Sequence, residues 1–260
     1  MPSSDLIFLT VSDGIAELVL NQPQRRNALS AAMWNAIPDL IAEASGDPEV
    51  RTLIVHGGET GHFAAGADIS EFETVYATPE SSRAYSDSIA RGIGALAAFP
   101  KPSIAAIEGA CVGGGVSLAV ACDLRVASSE AKFAVTPGKL GLVYPVEDVR
   151  RLSGIIGPAS VKDVLFTGRL FHADEAKALG LTDRTCEPGT ALDTARTLAA
   201  EMMATSQWSL QATKQMISLA EEGRDEEGLD LFLSAFDKED FREGYSAFLG
   251  KRRADFKWRG

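Results

Sequence analysis

Two short, largely apolar runs, residues 52–55 and 104–107, are each followed within a few positions by a glycine-rich turn and then by a helical pattern. Four-residue runs without polar alternation, bounded by glycine, read as strands buried on both faces, and that burial belongs to parallel sheets. Residues 124–127 form a further strand candidate. Strand followed by helix, repeated along the chain, predicts an α/β core with largely parallel pairing and right-handed crossovers. Upstream, residues 6–11 and 15–20 flank Ser12-Asp13-Gly14, a hairpin signal. Ser30 is placed to cap a helix carrying Met33, Ile37, Leu40 and Ile41 on one face. From about residue 191 the pattern changes to four helical stretches, 191–204, 207–220, 225–236 and 238–249, with no strand between them. The expected division is a core over residues 1–190 and a C-terminal helical region over 191–260. The acidic run at 221–227 reads as a solvated helix junction.

Bulk properties remove several classes of function. A chain of 260 residues is long enough to bury a substantial core. A formal net charge of −11 argues against nucleic acid as a partner, because phosphate neutralisation needs a dominant basic surface. A small anionic ligand stays open, with Arg25, Arg26, Lys251, Arg252 and Arg253 as a local basic cluster. Cys111, Cys122 and Cys186 fit neither a disulfide framework nor a metal site, so the expectation is a cytoplasmic protein with no metal. The first eleven residues carry Asp5 and no basic run, unlike a secretory signal. The longest charge-free apolar stretch, 109–122, contains a glycine triplet and is shorter than the ~18 residues of a span, so no membrane association is expected.

The glycine-rich turns are the chemical feature. Phe63-Ala64-Ala65-Gly66-Ala67-Asp68-Ile69 follows the first buried strand, and Gly113-Gly114-Gly115 opens an apolar helix after the second. Glycines at a helix start let a ligand approach unpaired backbone N–H groups, where the helix dipole favours negative charge. A phosphate loop would continue with Lys-Ser/Thr, but Val116-Ser117-Leu118 follows; a dinucleotide fingerprint is also missing after the first strand. Two readings remain. The turns hold backbone donors aimed at a carbonyl oxygen that gains charge, or the glycines only permit close packing of helix on strand.

The block Lys101-Pro102-Ser103-Ile104-Ala105-Ala106-Ile107-Glu108-Gly109, with the glycine triplet and Ala121-Cys122-Asp123, closely resembles the central signature of the enoyl-CoA hydratase/isomerase (crotonase) family. Asn21-Gln22-Pro23, Arg26-Asn27-Ala28-Leu29, the Ala-Gly-Ala-Asp-Ile turn and residues 242–252 are similar to that family as well, in the same order along the chain. The resemblance implies an α/β crotonase-like fold of stacked ββα turns, followed by helices used in trimerisation and commonly assembled into hexamers. It implies an acyl-CoA thioester as ligand and substrate, with no separate cofactor. The N–H groups of Ala67 and Gly114 would bind the thioester oxygen. The loop of Ala65, Ala67, Asp68 and Ile69 would cradle the adenine, with Ala28 nearby and Arg25 or Arg26 towards the phosphates. Phe248 and Lys251 would reach the nucleotide end, often from another subunit.

The chain departs from the family where hydratases carry two glutamates: those positions hold Ser117 and Pro137, or Gly138 with a one-residue shift. Water addition needs a group to activate water and one to deliver a proton. Serine without a neighbouring base is a poor substitute, and the histidines, His56, His62 and His172, read as structural or exposed. Tyr144, Glu147 and Asp148 lie just beyond, the two acids at the start of a helix where the dipole alone would favour them. Residues 136–144 resemble the corresponding region of methylmalonyl-CoA decarboxylases, although the histidine of those enzymes falls at Ala67. Three readings follow. One is a hydratase/isomerase-type enzyme with Ser117 in its site and an atypical acid/base such as Glu147, Asp148 or Tyr144. The others are a decarboxylase and a non-catalytic acyl-CoA-binding member of the family.

Overall fold

The structure is a computed structural model that describes residues 5–258; residues 1–4 of the N-terminal stretch and the last two of the C-terminal region lie outside the described residues. Strands β1 (Ile7–Ser12) and β2 (Ile15–Leu20) form the expected hairpin, with Ser12 opposite Ile15. Its two-residue loop is Asp13-Gly14, with both φ angles positive (52° and 81°), the geometry that matches a tight turn to the twist of the strands. Helix α1 (Ala31–Gly46) starts at Ser30, whose side chain accepts from Met33 N, and buries Met33, Trp34, Ile37, Leu40, Ile41 and Ala44. Next come β3 (Thr52–His56), the short helix α2 (Phe72–Val75), and α3 (Pro79–Ala97), which opens on a Thr78/Ser81 capping box.

Two strand–strand–helix units follow. The first is β4 (Ser103–Ile107), β5 (Ala110–Val112) and α4 (Gly114–Ala121). The second is β6 (Leu124–Ser128), β7 (Lys132–Ala134) and α5 (Val146–Thr167). The chain then passes through β8 (Phe171–His172), α6 (Ala173–Ala178) and β9 (Arg184–Cys186) into helices α7 (Ala191–Met203), α8 (Gln207–Glu221), α9 (Asp225–Ser234) and α10 (Glu239–Leu249). The first strand of each unit joins a six-stranded sheet of order β1-β2-β3-β4-β6-β9, parallel except for the β1–β2 hairpin. The second strands form a smaller sheet, β5-β7-β8. Bridges of Leu29 to Ala67 and of Ala64 to Cys111 extend that smaller sheet back towards the chain start. The stacked ββα architecture is therefore present.

Period-2 alternation explains why the central strands read as continuous apolar runs. Leu53, Val55, Ala105, Ile107 and Ala127 point to one face of the large sheet, where α1 and α4 pack, with α3 lying against both helices. Ile54, Ile104, Ala106 and Val126 point to the other, where Ala191, Ala195, Leu198 and Ala199 of α7 meet them. This changes the expected division of the chain. Helix α7 begins at Ala191 as read from sequence, but it covers the second face of the sheet and belongs to the core. The helices that stand off the sheet are α8 to α10. There Leu229, Phe232, Leu233, Phe236, Phe241, Tyr245, Phe248 and Leu249 are exposed, and Phe232, Phe236 and Phe241 meet edge to face at 5.4 Å. Strands β8 and β9 and helix α6 had no counterpart in the sequence reading, since strands of two and three residues are too short to show a period. Helix α5 is broken at Gly157, with φ of 76°, followed by Pro158. Among the described residues no helix is long and apolar enough to cross a membrane.

Because Leu198 fills the second sheet face at 4% exposure, Leu198→Ala is expected to destabilise the whole chain by ~2–5 kcal/mol. In urea unfolding followed by far-ultraviolet dichroism and by tryptophan fluorescence, both signals should shift together. A separate early transition of the helices would show that α7 is not part of the core.

Candidate active site

The first glycine turn is fastened to elements on both sides. Asn27, fully buried with φ of 56°, donates to Gly57 O (3.0 Å), Thr60 Oγ1 (2.8 Å) and His62 O (2.9 Å), while its Oδ1 accepts from Gln22 N (2.8 Å). His62 Nδ1 accepts from Ala110 N at 3.2 Å, which ties the turn to β5. That bond needs a ring unprotonated at Nδ1, and burial, with Arg26 and Lys132 nearby, holds the imidazole pKa below its usual value. Gly109 beside it has φ of 50°, and a Cβ there would lie 2.2 Å from Gly61 O, so only glycine fits. His62 is thus a structural clamp, as the sequence reading held. His56 and the exposed His172 lie at the end of β3 and before α6.

Two peptides in these turns share one arrangement. Gly66 O accepts from Leu29 N at 2.7 Å. In a trans peptide the carbonyl and the next N–H point in opposite directions, so Ala67 N–H faces away from Leu29. Gly113 O accepts from Ser117 N at 3.1 Å, which turns Gly114 N–H the other way, and the Tyr144 hydroxyl lies 3.2 Å from the same oxygen. Gly114 is the first residue of α4, where N–H groups have no partner within the helix. Among the described residues, neither amide has a protein acceptor. The turns also touch: a Cβ on Gly66 would sit 3.3 Å from Val112 O, and one on Gly115 2.7 Å from Ala64 O. Close helix-to-strand packing and free donors are therefore both present.

Beside Gly113 lies a buried polar chain. Ser117 Oγ stands 2.6 Å from the Tyr144 hydroxyl and donates to Asp148 Oδ2 at 2.7 Å, and Asp148 Oδ1 accepts from Arg151 Nη1 at 3.2 Å. Ser117 and Asp148 are each 2% exposed. Burial pushes the Asp148 carboxyl above its usual pKa against the pull of Ser117 and Arg151, and burial next to Asp148 pushes the Tyr144 phenol up as well. The serine at the first missing-glutamate position thus has a carboxyl neighbour, 31 residues further on, that its local sequence does not show. Pro137 and Gly138, at the second such position, lie in the short turn Pro137–Leu140 and bring no acid.

Glu147 is not part of this chain. Adjacent residues on a helix point about 100° apart. With Asp148 turned inward, Glu147 turns to solvent, its side chain 56% exposed and paired with Arg150. Arg25 chelates Asp68 at 2.7 and 2.5 Å and also bonds Ser70 Oγ. Asp68 caps the turn Ile69–Glu71 by accepting from Ser70 N at 3.1 Å. Burial alone would raise its carboxyl, but Ser70 and Arg25 hold it below the usual range. Asp68 therefore braces the loop while Arg26 and Ile69 remain exposed, with Ala28 and Ala65 half-buried. Phe248, 83% exposed, and Lys251 stand on the surface at the end of α10. Asn27 and Arg151 were not singled out from sequence. The three-residue spacing of Arg151 after Asp148 on one helix was the available signal for the latter. Among the described residues no cluster of metal-ligating side chains occurs.

Asp148 has a pH signature. With its pKa raised above 3.8, the folded chain retains a proton that the unfolded chain has released. Stability contributed by this group is therefore complete below about 3.8 and is lost as pH rises through the folded value. Urea midpoints of wild type relative to Asp148→Asn should fall as pH rises from about 4 into the alkaline range. A constant difference across that range would place the carboxyl in a solvent-like setting.

The sequence pattern of the enoyl-CoA hydratase/isomerase family matches residues 10–259. A crotonyl-CoA hydratase from Syntrophomonas wolfei is 32% identical over 265 residues, covering 96% of this chain and 97% of the relative. A crystal structure of an enoyl-CoA hydratase/isomerase family protein from Hyphomonas neptunium is 56% identical, with a TM-score of 0.97 and 100% of both chains covered. The enoyl-CoA hydratase structure from Mycobacterium tuberculosis H37Rv is 30% identical, with a TM-score of 0.86 over 98% of this chain and 99% of that one. The stacked ββα turns, the paired glycine turns and these likenesses agree: the chain belongs to the enoyl-CoA hydratase/isomerase family.

Proposed function

We propose that the chain is an acyl-CoA enzyme that shifts a double bond, with the amides of Ala67 and Gly114 as donors to the thioester oxygen and Asp148 as the acid/base, acting through Ser117. The observation that carries this reading is the single carboxyl in the buried chain next to the free amides. Hydration asks for activation of water and protonation of carbon, tasks that hydratases of the family divide between two glutamates. A double-bond shift asks for one group that removes a proton at one carbon and returns it at another. In the step from a 3-enoyl to a 2-enoyl thioester, the C2–H bond breaks and its electron pair moves into the thioester, placing negative charge on the oxygen. Ser117 receives that proton as it passes its own to the Asp148 carboxylate. The proton then returns to C4, and the double bond ends between C2 and C3. Two fixed N–H donors contribute ~3 kcal/mol each to such an oxyanion. Arg151 holds the second Asp148 oxygen and keeps the carboxyl oriented.

The exposed apolar faces of α9 and α10 suit assembly into trimers or hexamers. Phe248 and Lys251 would then close over the nucleotide of a bound acyl-CoA. Arg26, the exposed guanidinium at the first turn, suits the CoA phosphates better than Arg25, which Asp68 already neutralises.

The test compares two assays on purified protein, conversion of 3-hexenoyl-CoA to 2-hexenoyl-CoA and hydration of crotonyl-CoA. Isomerisation is expected to dominate. Asp148→Asn should lower its kcat at least ~10²-fold with KM little changed, whereas Glu147→Gln should stay within about twofold. Hydration as the main activity would overturn the choice of reaction. No turnover of either ester, combined with tight binding of both, would mark a binding protein. Carbon dioxide release from a malonyl-type ester would mark the decarboxylase.

A further inference from the structure

The buried chain ends on the carbonyl of the very peptide whose N–H serves as a donor. Tyr144 Oη lies 3.2 Å from Gly113 O, and the Gly113 carbonyl and the Gly114 N–H belong to one peptide unit. Counting protons shows what the chain can do. There are three contacts: Asp148 Oδ2 to Ser117 Oγ at 2.7 Å, Ser117 Oγ to Tyr144 Oη at 2.6 Å, and Tyr144 Oη to Gly113 O at 3.2 Å. With Asp148 ionised, only the two hydroxyl protons are available for them. Ser117 then donates to Asp148, Tyr144 donates across the shorter 2.6 Å contact to Ser117, and the 3.2 Å contact with Gly113 O is left without a proton. With Asp148 protonated, three protons serve three contacts in one direction, from carboxyl to serine, serine to tyrosine, and tyrosine to Gly113 O.

We infer that uptake of a proton by Asp148 is passed along Ser117 and Tyr144 as a reversal of hydrogen bonds, so that Tyr144 donates to Gly113 O and the Gly114 amide becomes a stronger donor. A hydrogen bond to a peptide oxygen polarises the whole unit and strengthens the bond its N–H makes. This deepens the proposed function and rests on it. The proton leaves C2 when charge appears on the thioester oxygen, so the donor strengthens as the oxyanion forms. Tyr144 is a positioning residue in this arrangement and need not touch substrate. The groups facing the chain come from several elements: Arg151 and Glu147 on α5, Ser117 on α4, and Cys111 on β5 beside Tyr144. Burial, Ser117, Arg151 and Glu147 together set where Asp148 titrates.

The test is the infrared carbonyl band of butanoyl-CoA labelled with carbon-13 at the thioester carbonyl, bound to wild type, Tyr144→Phe and Asp148→Asn. This saturated ester cannot undergo the double-bond shift. In wild type the bound band should lie below that of the free ester and move between two positions as pH carries Asp148 through its titration. In Tyr144→Phe, which keeps the ring and loses the hydroxyl, the band should stay below that of the free ester but no longer move with pH; Asp148→Asn should behave the same way. For isomerisation, Tyr144→Phe should lower kcat about two- to fivefold with KM unchanged, from the 10–30% strengthening of one such bond. A wild-type pH response retained in Tyr144→Phe would overturn the coupling, as would a wild-type band that does not move with pH. A bound band identical to the free one in all three proteins would instead overturn the proposed binding of the thioester oxygen, which separates the two failures.

Discussion

The site depends on two peptides held by their carbonyl oxygens. Gly66 O is fixed by Leu29 N, and Gly113 O by Ser117 N. Because a peptide is planar and trans, anchoring the oxygen aims the following N–H. Much of the architecture around the site serves this anchoring. The isolated bridges Leu29–Ala67 and Ala64–Cys111 join the first turn to the small sheet, and Asn27 and His62 brace it from either side. Two glycines mark where backbones must come close. At Gly109 and Gly115 a side chain would collide with the neighbouring carbonyl, and the turns would separate.

The Asp148 carboxyl follows a different principle. The carboxyl is carried on the first turn of α5 and not on the helix that opens at Gly114. Burial at 2% exposure is costly for a carboxylate, and here it is offset by one hydroxyl donor and one guanidinium. That balance holds the carboxyl above its usual pKa, a direction that suits the proposed acid/base role. The same chain of oxygens reaches the Gly113 carbonyl, so the Gly114 amide and the Asp148 carboxyl are linked through one peptide.

Much of this was legible in the sequence because it is local. The Asp13-Gly14 hairpin, the Ser30 cap, the buried strands β3 and β4 and the starts of helices α7 to α9 follow from turn chemistry and periodicity over a few residues. Ala67 and Gly114 could be named from motif and family resemblance, since a glycine turn before an apolar helix is written in consecutive positions. Less legible was whether Arg25 would face a ligand. Asp68, 43 residues away in sequence, claims it. Likewise, α7 reads as a helix from its spacing, but only the sheet face it covers places it in the core.

The sequence by itself determined the first hairpin, the buried central strands, the two glycine turns and the absence of a glutamate at Ser117, because each is a property of neighbouring residues. The tertiary structure alone decided that Asp148 turns inward while Glu147 turns out, and that Ser117 meets a tyrosine and a carboxyl from another element. The physical reason is separation along the chain. Ser117 and Asp148 are 31 positions apart, and no local pattern encodes which of two adjacent acids a packed helix will bury.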